Sequence, residues 1–291
     1  MAHSHSHDHA NNQTLLGRAF VLIAGFMLVE VIGGLVANSL TLLADAGHMF
    51  LDASALGFSW YAILISQRAQ DERLSYGYHR WQVLAAFVNG LTLLALVCWI
   101  LIEAYDRLNN PQLMLPLPAL VVATLGLVVN LIAYRWLHHA DDTANVRAAA
   151  LHVLGDILGS ASAIIAALTV WLTDWPYADP LLALLIAAIL GRGAWRVLSQ
   201  SAHILLEGVP EGVNLEQISQ RLTAHIPGIS NVHHLHAWAL TAEKPLVTLH
   251  AKADPQVDLE AMVVKMKKVL SEEFGITHST IQVEHGDCPD H

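Results

Sequence analysis

Six stretches of the chain, at about residues 15–37, 40–66, 82–105, 115–138, 146–172 and 178–206, are long, apolar and almost free of charge. Each offers the ~20 residues that a helix needs to cross a bilayer. Lipid gives backbone N–H and C=O groups no partner, so a spanning segment must satisfy them internally, and helix is the default. Over the whole chain 14% of residues are charged and mean hydropathy is +0.45, whereas a soluble domain carries roughly 25% charged residues. The chain therefore reads as a polytopic membrane protein.

Basic residues near the ends of these stretches set their orientation. Arg18, Arg68, Arg73, Arg80, Arg135, Arg147, Arg192 and Arg196 fall near the N-terminus, in the connections after the second and fourth stretches, and at the end of the sixth. The opposite connections carry only Arg107. Both termini are expected in the cytoplasm, which six spans allow. The polar start, MAHSHSHDHANNQ, has no apolar core of a signal peptide. Two cysteines, Cys98 and Cys288, form no disulfide framework. A net charge of −10 with 18 histidines and no basic stripe excludes nucleic acid as a partner. Imidazoles and carboxylates together suit divalent cations.

The composition changes near residue 208. Gly/Pro turn signals in GVPEGV lead into an amphipathic helix, and VHHLHAWAL and LVTLHAKAD read as strands joined by the turn TAEKP. DLEAMVVKMKKVLSEEFG reads as a helix with Asp258 as N-cap and Gly275 just past its end, and HSTIQVEH as a third strand. The expected organisation is a His-rich cytosolic tail (1–14), a six-helix transmembrane domain (15–207) and a cytosolic α+β domain of order α-β-β-α-β (208–291). Its helices are expected on one face of the sheet.

Two of the apolar stretches contain the same polar pair. HMFLD places His48 and Asp52 four residues apart in the second, and HVLGD places His152 and Asp156 likewise in the fifth. Positions i and i+4 lie on one face of a helix. If the two helices pack, the four side chains supply two nitrogens and two oxygens in a tetrahedral set that suits Zn²⁺. An isolated Asp in hydrocarbon costs at least ~2.5 kcal/mol, so two of them need a compensating partner. A single pair could serve as an interhelical hydrogen bond; its repetition in a second helix favours a bound cation. Asp45 is a further intramembrane acid, read as supporting shell or vestibule rather than ligand. Glu30 could face the cation path, whereas Asn89 and Asn130 are assigned to packing. Cys98 reads as a small hydrophobe. Small residues (Ala44, Ala46, Gly47, Ala53; Gly155, Gly159, Ser160, Ser162) allow the helices close approach, or equally a sliding motion.

ADAGHMFLDASAL, NVRAAALHVLGDILGSASAIIAA, YADPLLALLIA, LLEGVP and HLHAWALT closely resemble the cation diffusion facilitator family, from about residue 15 to the end. The resemblance implies a homodimer of six-helix protomers, each with a cytoplasmic ferredoxin-like metal-binding domain. It also implies export of divalent metal from the cytoplasm in exchange for protons, with alternating access. The His-Asp pattern on both helices is similar to the zinc-preferring branch. For the cytosolic domain it implies zinc ligands among His233, His236 and His250, with His285 and nearby acids. The chain departs from the family pattern at Gln82 and His234, each of which stands where an acid is common.

Several other residues carry two readings. Simple alternation in VHHLH puts His234 and His236 on one face and His233 on the other. Any of the cytosolic histidines could be an ordinary surface residue. Asp71, Glu72 and His79, after the second stretch, form either a weaker metal site or a solvated loop. The HSHSHDH tract is a flexible metal-binding segment by composition, or belongs to an expression tag. Three functions compete. A zinc/proton antiporter in a bacterial inner membrane accounts for both HxxxD pairs. A membrane metallohydrolase wants three zinc ligands and an open water position, and no HExxH is present, so an enzyme is not expected. A membrane-anchored metal sensor leaves the intramembrane pairs unexplained.

Overall fold

A computed structural model describes residues 5–66, 68, 70–138, 144–286 and 288; within its helices, the side chains of 5–17, 19, 20, 56, 59, 60, 137, 138 and 144–152 lie outside the description. The described residues form α1 (His5–Ala37), α2 (Leu40–Ser66), α3 (Arg80–Asn109), α4 (Pro116–His138), α5 (Ala144–Thr173) and α6 (Ala178–Leu205). These are followed by α7 (Leu215–His225), β1 (Ile229–Ala239), β2 (Pro245–Ala253), α8 (Leu259–Phe274) and β3 (His278–Glu284). α1 begins at His5, so its helix runs on from the His-rich tract into the first apolar stretch. Once a helix exists, each added residue gains a hydrogen bond without a new nucleus.

Contacts divide the chain into two compact units, residues 1–58 with 88–196, and residues 59–87 with 197–291. The first unit turns its large apolar side chains outward. Ile102, Leu172 and Ile189 are 70%, 75% and 63% exposed, while Ala44, Ala119, Ala123, Ala167, Ala183 and Ala187 are buried. A water-soluble bundle would do the reverse. Small residues between helices and large apolar ones outside are what lipid favours, because tails solvate leucine as well as a protein core does. Among the described residues, Arg80–Asn109, Pro116–Trp136, Val153–Thr173 and Ala178–Leu205 are long and apolar enough to cross a membrane, and Val21–Ala37 is a shorter apolar helix. This is an integral membrane domain of apolar helices.

α2 is the centre of the unit. Leu42 packs with residues of α1, α4 and α5, and Leu40 and Ala44 pack with α3 and α6. Its start is fixed by polar contacts. Asn38, at φ 51°, ends α1, and the Ser39 hydroxyl accepts the Leu42 N–H. The Asp179 carboxylate, from the first turn of α6, accepts the N–H groups of Leu40 (2.6 Å) and Thr41 (3.2 Å) and the Ser39 hydroxyl (2.7 Å). A carboxylate over the first N–H groups of a helix satisfies orphan donors and the positive end of the dipole together. Arg107 closes the network, donating to the Asn38 carbonyl and side chain and to Glu103.

In the second unit a small sheet of order β1-β2-β3 pairs β1 with β2 antiparallel and β2 with β3 parallel through the α8 crossover. Val232, Ala237, Val247, Leu249 and Ala251 face α7 and α8, whose Ile218, Leu222, Met262, Met266 and Leu270 complete the core. Asp258 caps α8 through the N–H groups of Glu260 and Ala261, and Gly275 ends it at φ 69°, as the sequence predicts.

Candidate metal centres

His48 and Asp52 occupy successive turns of α2, with Nδ1 3.3 Å from Oδ2 and about a fifth of each side chain exposed. Asp156 on α5 is fully buried. The His152 side chain lies outside the described residues, although its backbone belongs to α5. Contact between the helices falls one turn away from each pair. Asp45, three residues before His48, packs on Gly159, three residues after Asp156, and a Cβ at 159 would collide with its carboxylate. The absence of a side chain at 159 thus lets α2 approach α5 about one turn from His48 and from Asp156.

A second cluster lies on the sheet face that the helices leave uncovered. His233 and His250 are cross-strand partners, so their side chains point the same way. Glu284 at the end of β3 sets Oε1 2.8 Å from His250 Nδ1 and Oε2 3.3 Å from His233 Nε2. The Cys288 sulfur is 3.4 Å from His250 Nδ1. One donor atom from each of His233, His250, Glu284 and Cys288 falls within 4.8 Å of the others. Two imidazoles, a carboxylate and a thiol make a complete tetrahedral set for Zn²⁺. The fit is supported by His233 Nδ1, a buried atom with no hydrogen-bond partner among the described residues, and by the Nε2–Oε2 pair of His233 and Glu284, close but not hydrogen-bonded. Burial alone would push the Glu284 carboxyl up, but hydrogen bonds from Gln282, Cys288 and His250 together outweigh it and hold it below the ordinary range. Glu284 is therefore kept as carboxylate, the form that binds metal.

Residues 16–206 match the cation efflux transmembrane domain, and residues 210–286 match the cytoplasmic domain of cation efflux proteins. The chain belongs to the cation efflux family. A zinc transporter, ZitB, of Pectobacterium atrosepticum is 44% identical over 100% of the chain and 91% of its own length. The cadmium, cobalt and zinc/H(+)-K(+) antiporter of Bacillus subtilis is 36% identical over 96% of the chain and 91% of its own length. The metal-bound C-terminal domain of the CzcD transporter from Cuprividus metallidurans is 40% identical, covering 25% of the chain and 99% of that domain, with a TM-score of 0.23. The resemblance to cation diffusion facilitators seen in the sequence therefore holds, and the cation efflux family is one of transporters rather than enzymes.

The cytosolic cluster of this cation efflux protein differs from the expected ligand set. Simple alternation fails because β1 bulges between His233 and His236, with His234 at φ 47°. One extra residue on β1 leaves His233, His234 and His236 on the outer face. The His234 ring stacks on His250 at 5.1 Å. His236 stands opposite Thr248, away from the cluster, and lines a cleft of about 920 Å³ with Tyr76, Trp81 and Trp238. His285 turns to the Ala253 carbonyl at 3.3 Å. Glu284 and Cys288 take the places expected for His236 and His285. Their residue types were visible in the sequence; the bulge and the parallel β2–β3 pairing that select them were not.

The loop pair of this efflux protein is not brought together either. Asp71 accepts the Tyr78 hydroxyl at 2.7 Å and the N–H groups of Arg73 and Leu74, and these bonds, led by Tyr78, hold its carboxyl below the ordinary range. His79 instead faces the Lys244 ammonium at 3.1 Å. Burial, and then the Lys244 charge, lower its affinity for a proton. In Lys244→Gln, the His79 midpoint read by imidazole NMR is expected to move only part of the way up toward ~6.5, because burial persists. An unchanged midpoint would refute the contribution of Lys244. Gln82 donates to the Ser66 hydroxyl at 2.7 Å.

Proposed function

We propose that this chain exports Zn²⁺ from the cytoplasm in exchange for protons, with the metal bound as substrate by His48, Asp52, His152 and Asp156. The observation that carries the reading is the side-by-side packing of α2 and α5 through Asp45 and Gly159. That contact lies about one turn from His48 and from Asp156, which supports a single site shared by the two pairs. The chain's relatives, a zinc transporter and a cadmium, cobalt and zinc/H(+)-K(+) antiporter, support both the substrate and the exchange. A histidine must be neutral to bind metal, and its free pKa of about 6.5 lies near cytosolic pH. Metal therefore displaces protons on loading, and protons arriving from the outer side help eject it as access alternates.

The same reading places six spans in a bacterial inner membrane, with both termini in the cytoplasm. It divides the chain into a tail (1–14), a transmembrane domain (15–207) and a ferredoxin-like cytosolic domain (208–291) through which two copies pair as a homodimer. In that domain His233, His250, Glu284 and Cys288 would hold a resident zinc ion, whose chemistry there is structural charge neutralisation. The carboxylate, the thiol and the imidazoles bring three chain segments to one point.

The test is zinc uptake with simultaneous internal pH in proteoliposomes, wild type against Asp52→Ala. Coupled fluxes that fall by at least ~100-fold in the variant are expected, since even outer-shell changes cost 10–100-fold. Zinc binding without either flux in the wild type would overturn transport in favour of a membrane-anchored sensor.

A further inference from the structure

Beside the HxxxD pairs lies a group of oxygens that zinc binding does not use. Glu30 on α1 and Asn130 on α4 are fully buried, as is Ser160 on α5, and Asp45 on α2 is 2% exposed. The Asn130 amide nitrogen donates to the Ser160 hydroxyl at 3.3 Å, and Ser160 in turn hydrogen-bonds the Asp45 carboxylate. After these bonds, four buried acceptors have no hydrogen-bond partner among the described residues: both oxygens of Glu30, Oδ2 of Asp45 and Oδ1 of Asn130. The two carboxylates also feel each other and Asp156 electrostatically. Space is made for them by glycines. A Cβ on Gly126 would press on Glu30 and the Ser160 hydroxyl, and one on Gly159 on Asp45.

Four acceptors from three helices, with no donor for them among the described residues, call for positive charge. One proton shared by Glu30 and Asp45 would satisfy two of the four and leave Asn130 Oδ1 and one Glu30 oxygen orphaned, at a cost of about 1–3 kcal/mol each, so protons alone would have to number two. A cation among them satisfies all four at once. Every donor atom is oxygen, from carboxylate, amide and hydroxyl, with no nitrogen or sulfur ligand. That is the preference of hard ions such as the alkali and alkaline-earth cations, and not the mixed set that zinc favours.

We propose that Glu30, Asp45, Asn130 and Ser160 form a second intramembrane cation site, for a hard oxygen-preferring cation, adjoining the zinc site across Asp156. Its role rests on the export reading: a cation there and Zn²⁺ at His48 and Asp52 compete for the field of one carboxylate, so each weakens the other, as counter-ions of an exchanger must. Its existence does not rest on transport, and the test reads binding alone.

Full-length protein in lipid nanodiscs, freed of zinc by a zinc-selective chelator, is melted in potassium, sodium or magnesium chloride against choline chloride at matched ionic strength and fixed pH. At least one of the three cations is expected to raise the midpoint by about 5 °C at saturation, and the ion that does so identifies the source. Glu30→Gln and Asn130→Ala each lose the shift. Asn130→Ala removes a neutral acceptor and serves if Glu30→Gln does not fold. Asp52→Ala, which disables the zinc site, keeps the shift. The proposal is overturned if the three cations match choline and only pH moves the midpoint, which would mean protons alone. It is equally overturned if both acceptor variants retain the shift, or if Asp52→Ala abolishes it. Absence of zinc flux in proteoliposomes would defeat the export reading and leave this result standing.

Discussion

Asp156→Ala is expected to abolish zinc export and, at the same time, to make the metal-free protein harder to melt. The first half follows from the ligand set, since a three-ligand site should lose at least ~100-fold in zinc affinity. The second half follows from burial. Asp156 is wholly enclosed and lies within the field of Glu30 and Asp45. A charged side chain at the centre of a span costs ~2.5–3.5 kcal/mol even on the lenient insertion scale. Alanine removes that cost and the repulsion with it, and gives up the remaining contacts of the carboxylate, at about 1 kcal/mol. A net gain of about 1.5–2.5 kcal/mol results, or a rise of roughly 3–10 °C in midpoint. Melting wild type and variant in chelator, alongside zinc flux, checks both halves. A lower midpoint in the variant would mean that its partners outweigh its desolvation.

Asp179→Ala should do the opposite and unfold the transmembrane unit at much lower temperature. Its carboxylate holds two N–H groups and the cap hydroxyl at the start of α2, and its Oδ2 lies 3.7 Å from the buried Arg107. Removing one partner of a buried charged network leaves the other uncompensated, at about 3–5 kcal/mol. That corresponds to a fall of roughly 10 °C. Asp179→Asn keeps an acceptor for the helix N-terminus and should lose about half as much. Equal losses in the two variants would mean that the charge, not the capping, carries the effect. Transport should fail in Asp179→Ala, because α2 carries His48 and Asp52 two turns further on.

Much of this was legible in the chain itself. Apolar length located the helices, because lipid makes period and charge the deciding variables. The cytosolic order α-β-β-α-β, the Asp258 cap and the Gly275 stop all follow from local rules. The HxxxD pairs were readable because i and i+4 geometry needs no tertiary knowledge. Of the cytosolic cluster, His233 and His250 are expected from the sequence, and Glu284 and Cys288 are not singled out by it. Whether His236 or Glu284 reaches His250 depends on a bulge in β1 and on the parallel register of β3, and both are settled by non-local pairing. Asn130 reads as a packing residue, and it does join α4 to α5 through Ser160; which side chain it would meet follows only from the fold.

The bulge at His234 also bears on how such a domain can change its chemistry. Strand alternation is a two-letter code in which moving one residue out exchanges it with a neighbour moving in. The extra residue at 234 breaks that constraint locally: Leu235 still reaches the core, while three histidines of a four-residue run face outward. Ligands can therefore be added to or deleted from this edge of the sheet with the hydrophobic interior undisturbed. Related chains could differ in their cytosolic metal chemistry through one-residue slips here and keep the same fold.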